Sequence, residues 1–112
     1  MVFRGGEELA RLLTVRGVAG RASVWRGGPC DMVVFEAGGE LYALTYREGT
    51  SGWVYVKVYP ASASVSMMSC DEVLYSPWGL YVYGKTMEEL VEGIRRKLPR
   101  LARMGEAGIA RV

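Results

Sequence analysis

The sequence predicts an α+β domain: an antiparallel β-meander sheet flanked by an N-terminal and a C-terminal helix. Three observations carry that expectation. Residues 6–16 and 86–101 place apolar side chains at helical spacing. Between them, short runs rich in Val, Tyr, Trp and Thr alternate with Gly, Pro and Ser. With 112 residues the chain can fill one modest core, so 1–112 is read as a single domain.

In the first helix, GEELARLLTVR, Leu9, Leu12 and Leu13 share a face. Glu7 and Glu8 stand at its start and Arg16 at its end, the order that suits the helix dipole, and Gly17 is a reasonable stop. Seven strands are expected after it, over 21–26, 31–36, 41–47, 53–59, 64–69, 72–75 and 80–84. They are separated at GGP, AGG, EGTSG, Pro60 and SPWG. The last helix opens on a capping box, Thr86-x-x-Glu89. Its apolar stripe is Met87, Leu90, Val91, Ile94, Leu98 and Leu101. Pro99 should kink or break it, and with Gly105 should end the helical pattern early. Its polar side passes from Glu88, Glu89 and Glu92 to Arg95, Arg96, Arg100 and Arg103. Dipole complementarity and solvation are the common reasons for such a basic end, and phosphate contact is the other. CDMVVFEAGGELY (30–42) also matches CDEVLYSPWGLY (70–81) with one insertion. A duplicated hairpin would make Tyr42 and Tyr81 equivalent.

Composition narrows the function. No apolar run approaches the roughly 20 residues of a membrane span. The start, MVFRGGEELARLL, has acids in its apolar stretch and does not read as a signal peptide, so a cytoplasmic protein is expected. His, Asn and Gln are absent and the basic residues are mostly Arg, which points to a hyperthermophilic source. Lacking His, the chain lacks the commonest general base and transition-metal ligand. Cys30 and Cys70 cannot complete a zinc site, and are read as buried thiols or a disulfide. RGGP (26–29) lacks the ending of a phosphate loop. No acid, base and nucleophile converge, so the expectation is a non-enzyme with no cofactor, no metal and no small-molecule substrate. The net charge is +2, but residues 1–29 and 91–112 are basic and the middle is acidic. The two ends would form a basic surface if they met.

The informative stretch is GWVYVKVYP (52–60). Alternation along a strand puts Val54, Val56 and Val58 on one face and Trp53, Tyr55, Lys57 and Tyr59 on the other. LYVYGK likewise groups Tyr81, Tyr83 and Lys85, and RASVWR groups Arg21 with Trp25. Pairing the strands about EGTSG with Arg47 opposite Trp53 sets Ala43 and Thr45 beside these rings as a channel floor. A one-residue slip would set Tyr42 and Tyr46 there instead. Rings interleaved with cations suit single-stranded nucleic acid, whose bases stack at about 1–3 kcal/mol each while Lys and Arg follow phosphates. Duplex DNA fits less well, because Pro99 interrupts the one candidate recognition helix. Two other readings use the same rings: the second half of a core, with Lys57 snorkelling out, or a subunit interface in an oligomeric interaction module.

With these strands, helices and composition, the chain resembles the ThermoDBP-related family, the single-stranded DNA-binding proteins of hyperthermophilic archaea. The resemblance covers most of the chain in element order and character. It implies an antiparallel sheet with helices packed on it, homo-oligomers, and a cleft lined by aromatic and basic side chains. The ligand it implies is single-stranded DNA, with RNA the related candidate. Trp53, Tyr55, Lys57, Tyr59, Tyr81, Tyr83, Lys85, Trp25 and Arg21 fit that lining, with Arg47 beside them. A long C-terminal zipper, as some members have, is not matched here.

Overall fold

A computed structural model of the chain describes residues 5–25, 31–49, 51–60 and 79–110; of Trp25 and residues 105–110 only the backbone is described. The elements are α1 (Gly5–Val15), β1 (Arg21–Trp25), β2 (Asp31–Ala37), β3 (Glu40–Glu48), β4 (Val54–Pro60), β5 (Leu80–Gly84) and α2 (Met87–Ala110). The five strands form one sheet in the order β1-β2-β3-β4-β5, every neighbouring pair antiparallel. The α+β architecture read from the sequence is the one observed. The strands expected over 64–69 and 72–75, both cysteines and the second copy of the repeat lie outside the described residues.

α1 ends where Gly17, at φ 74°, takes the left-handed conformation. The Val18 N–H then donates to the Leu13 carbonyl (2.9 Å) and the Gly17 N–H to that of Thr14 (3.1 Å), which is a Schellman closure. At the other end the Gly6 N–H donates to Asp31 Oδ2 (3.0 Å), tying the first turn of α1 to β2. Half of the expected capping box of α2 forms: the Glu89 N–H donates to Thr86 Oγ1 (3.1 Å), while Glu89 Oε1 reaches one residue further back and accepts from the Lys85 N–H (3.0 Å).

Both helices pack on the same side of the sheet. Leu9, Leu12 and Leu13 of α1 and Leu90, Val91, Ile94 and Leu101 of α2 are buried against Val33, Phe35, Leu44, Val56, Val58 and Val82. Burying each such side chain contributes about 1.5–3 kcal/mol. Met87 and Leu98 are partly buried beside them, so the stripe expected for the last helix is the one used. The helices are also joined directly. Arg16 pairs with Glu88, and Arg95 Nη2 donates to the Arg16 carbonyl (2.9 Å), capping the end of α1.

Two expectations need correction. α2 is not stopped near Pro99 but runs on to Ala110. The proline removes one backbone donor on an exposed flank, while Leu98 and Leu101 keep the stripe on the core. The β3–β4 register is offset by two residues, with Arg47 opposite Tyr55 rather than Trp53. Ser51 and Gly52 both take positive φ (59° and 79°), and the Gly49 N–H closes on the Trp53 carbonyl (2.8 Å), so the ladder begins at Glu48–Val54. An offset of two preserves which side chains share a face.

α2 packs tightly on the sheet at Gly93, where an added Cβ would stand 2.4 Å from Val82 Cγ1. Gly93→Ala should therefore destabilise the protein by about 1–3 kcal/mol through overpacking, although alanine is the better helix former. Combining it with Val82→Ala should cost less than the sum of the two single changes in a chemical-denaturation cycle. Strict additivity would place the contact elsewhere.

Candidate nucleic-acid interface

The side chains that alternate away from both described helices form the second face. Its rows follow from the register. Tyr83, Tyr55 and Arg47 lie side by side, and the next row is Tyr81, Lys57, Thr45 and Met32, the last paired through the backbone with Trp25 of β1. Then come Tyr59, Ala43, Val34 and Ser23, and last Leu41, Glu36 and Arg21. Ala43 and Thr45 thus share a face with the β4 rings, and Tyr42 and Tyr46 face the helices; of the two alternatives in the sequence, the first is realised. On that helix side Tyr42 stacks on Phe35 with centroids 5.3 Å apart. Burial pushes the Tyr42 and Tyr46 phenols up from their usual value, with smaller contributions from Glu40 for Tyr42 and from Glu48 and Asp31 for Tyr46.

The rings at the β4–β5 margin form a connected group. Tyr55 and Tyr83 have centroids 5.8 Å apart at 32°, Tyr81 and Tyr83 6.0 Å at 22°, and Tyr55 and Tyr81 6.4 Å at 50°. These lie within the range of favourable ring pairs. Lys85 Nζ stands 5.1 Å from the Trp53 ring centre, and Lys57 Nζ 4.6 Å from that of Tyr81, both within cation–π reach. Exposure divides this group. Tyr83 is 60% exposed and Trp53 44% exposed. Tyr55, Tyr81 and Arg47 are half-buried, and Lys85 is exposed.

The middle of the face is closed. Lys57 is 4% exposed, and Tyr59, Met32, Ala43 and Thr45 are buried with it. Three expectations change as a result. Lys57 neither snorkels out nor meets solvent phosphates, Tyr59 offers no open ring, and Ala43 and Thr45 do not floor an open channel. Burial alone accounts for the lowered pKa of the Lys57 amine, because desolvation penalises its charged form. Beside it, Thr45 Oγ1 is buried without a hydrogen-bond partner among the described residues. Arg21 is exposed but belongs to the opposite corner, with Glu36 as its cross-strand neighbour, and does not join the ring group. Trp25 shares the Lys57 row in register, with β2 and β3 between them.

The structure adds one residue that strand-based reasoning passed over. Arg96 of α2 shares a shallow groove of about 320 Å³ with Tyr83, Glu88, Glu89 and Glu92. Among the described residues no helix is long and apolar enough to cross a membrane. Compared with known proteins, the chain matches no family model, no curated protein and no solved structure.

The buried amine makes a pH prediction. Between its lowered folded value and the ordinary 10.5, the unfolded chain holds more of the Lys57 proton than the folded one. Stability from this group therefore rises with pH in that window. Lys57→Met removes the titrating group, so the variant should lack this rise in stability. The variant should therefore lose stability relative to wild type as pH climbs towards 10.5. Thermal melts of both proteins across that range check it, and a constant difference would contradict the burial.

Proposed function

We propose that this chain is a cytoplasmic, non-catalytic protein that binds single-stranded DNA with little sequence preference. The observation that carries the reading is the open aromatic margin of β4 and β5. Three rings, Tyr55, Tyr81 and Tyr83, adjoin one another on the side away from both described helices, Lys85 lies over the nearby Trp53 ring, and Trp53 and Tyr83 are the most exposed of the four. Every base has a π-face, so such a margin takes any sequence, and exposed aromatic area already standing in contact costs little to order.

The cations take distinct parts. Lys85 lies over the Trp53 ring in the free protein. A base stacking on that indole takes the place of the ammonium, which then turns to the neighbouring phosphate. Arg47, across the ladder from Tyr55, borders the opposite flank of the rings. Lys57 and Tyr59 act from beneath: their burial fixes Tyr81 and the β4 backbone without touching ligand.

A second reading rests on a specific observation. Glu88, Glu89 and Glu92 rim the groove beside Tyr83, and carboxylates next to an open ring suit a protein surface better than a phosphate chain. In that reading the rings join copies of this chain into a homo-oligomer.

Fluorescence anisotropy of a labelled oligothymidylate across a salt series separates the two. The nucleic-acid reading predicts binding that weakens as salt rises, and absence of binding at low salt overturns it. Trp53→Ala and Tyr83→Ala should each weaken binding by about 1–3 kcal/mol, the worth of one stacked base. Both positions are open, so the melting curves should hardly move. Loss of self-association with oligonucleotide binding intact would assign the rings to the interface.

A further inference from the structure

Resting on that reading of the ring margin, we infer that the nucleic-acid strand continues past β5 onto α2, where Arg96, Arg100 and Arg103 form a track for its phosphates. These positions are four and three residues apart, which puts them on one face of the helix over about 10 Å of its axis. All three are exposed, and none has an ion-pair partner among the described residues.

The usual reason for arginines late in a helix does not apply. The dipole acts within the last turn. α2 extends to Ala110 and has no basic residue in its last turn, so Arg96, Arg100 and Arg103 complement no helix end.

Two contacts put the track next to the rings. Arg96 and Tyr83 border the same groove, and the neighbouring Lys97 donates from Nζ to the Tyr81 carbonyl of the edge strand β5 (2.8 Å). The carboxylates in that groove are already engaged. Glu88 pairs with Arg16, Glu89 accepts the Lys85 N–H, and Glu92 lies 3.8 Å from Arg95. A phosphate chain leaving Tyr83 therefore meets three uncommitted guanidinium groups in series. Arg95 stays apart, held on the end of α1.

The test compares oligothymidylates of about 4 and about 16 nucleotides, one confined to the rings and one long enough to reach the helix. The variant carries Arg96→Gln, Arg100→Gln and Arg103→Gln together, with glutamine preserving helix propensity. For the long oligonucleotide, the slope of log affinity against log salt should fall by about 2, at roughly 0.7 per lost phosphate contact. Affinity for the short one should stay at the wild-type value. Arg11→Gln, on α1, controls for simple loss of an exposed charge and should leave both unchanged. A long-oligonucleotide slope that the triple variant retains overturns the track while the ring site stands. If neither oligonucleotide binds wild type, site and track fall together. Matching far-UV melting curves, or single Arg→Gln variants should the triple one unfold, keep the comparison interpretable.

Discussion

Everything in this structure depends on both helices burying the same side of one twisted sheet. Side-chain alternation divides each strand into two faces, and α1 and α2 take the face of Val33, Leu44, Val56 and Val82. The arrangement is secured at three levels. Leucine stripes seat in the sheet, Gly93 lets α2 come close to Val82, and the Arg16–Glu88 pair with the Arg95 cap locks the helices to each other. The exposed ion pair adds at most about 1 kcal/mol, so the apolar contacts set the stability.

The other face then varies with depth. Its centre holds a lysine at the cost of depressing its own ionisation, and its β4–β5 margin leaves indole and phenol rings open. The two conditions are linked through Tyr81, whose ring both meets the Lys57 ammonium and stacks on Tyr83. A fixed inner ring beside a freely exposed outer one offers a rigid platform whose far edge is ready to take a planar ligand. The uncommitted arginines of α2 lie just around the β5 edge from it.

Much of this was legible in the residues. The Thr86 hydroxyl cap, the stop at Gly17 and the 3.6-residue stripe of the last helix each have a local cause, and each is found. So was the division of β4 into a valine face and an aromatic face, because alternation is indifferent to register errors of two. Depth was not legible. Trp53, Tyr55, Lys57 and Tyr59 alternate identically, yet two are open or half-open and two are closed, because burial changes along the strand and alternation does not encode it. The β3–β4 offset came from Ser51 in a left-handed conformation, which the sequence gives no reason to expect of serine. Pro99 was over-weighted: on an exposed flank its missing donor is outvoted by the leucines on either side. That error also favoured the dipole reading of the late arginines over phosphate contact, since a helix ending early makes them look like a dipole cap.

The central claim is that the Trp53 margin stands open in the free protein and is covered by single-stranded DNA. Acrylamide quenching of Trp53 fluorescence, in a protein carrying Trp25→Phe and Trp78→Phe, measures that most directly. Efficient quenching of the free protein, falling sharply when oligothymidylate is added, is the predicted result. An indole that is shielded from the start, or one equally quenched with and without saturating oligonucleotide, would contradict it.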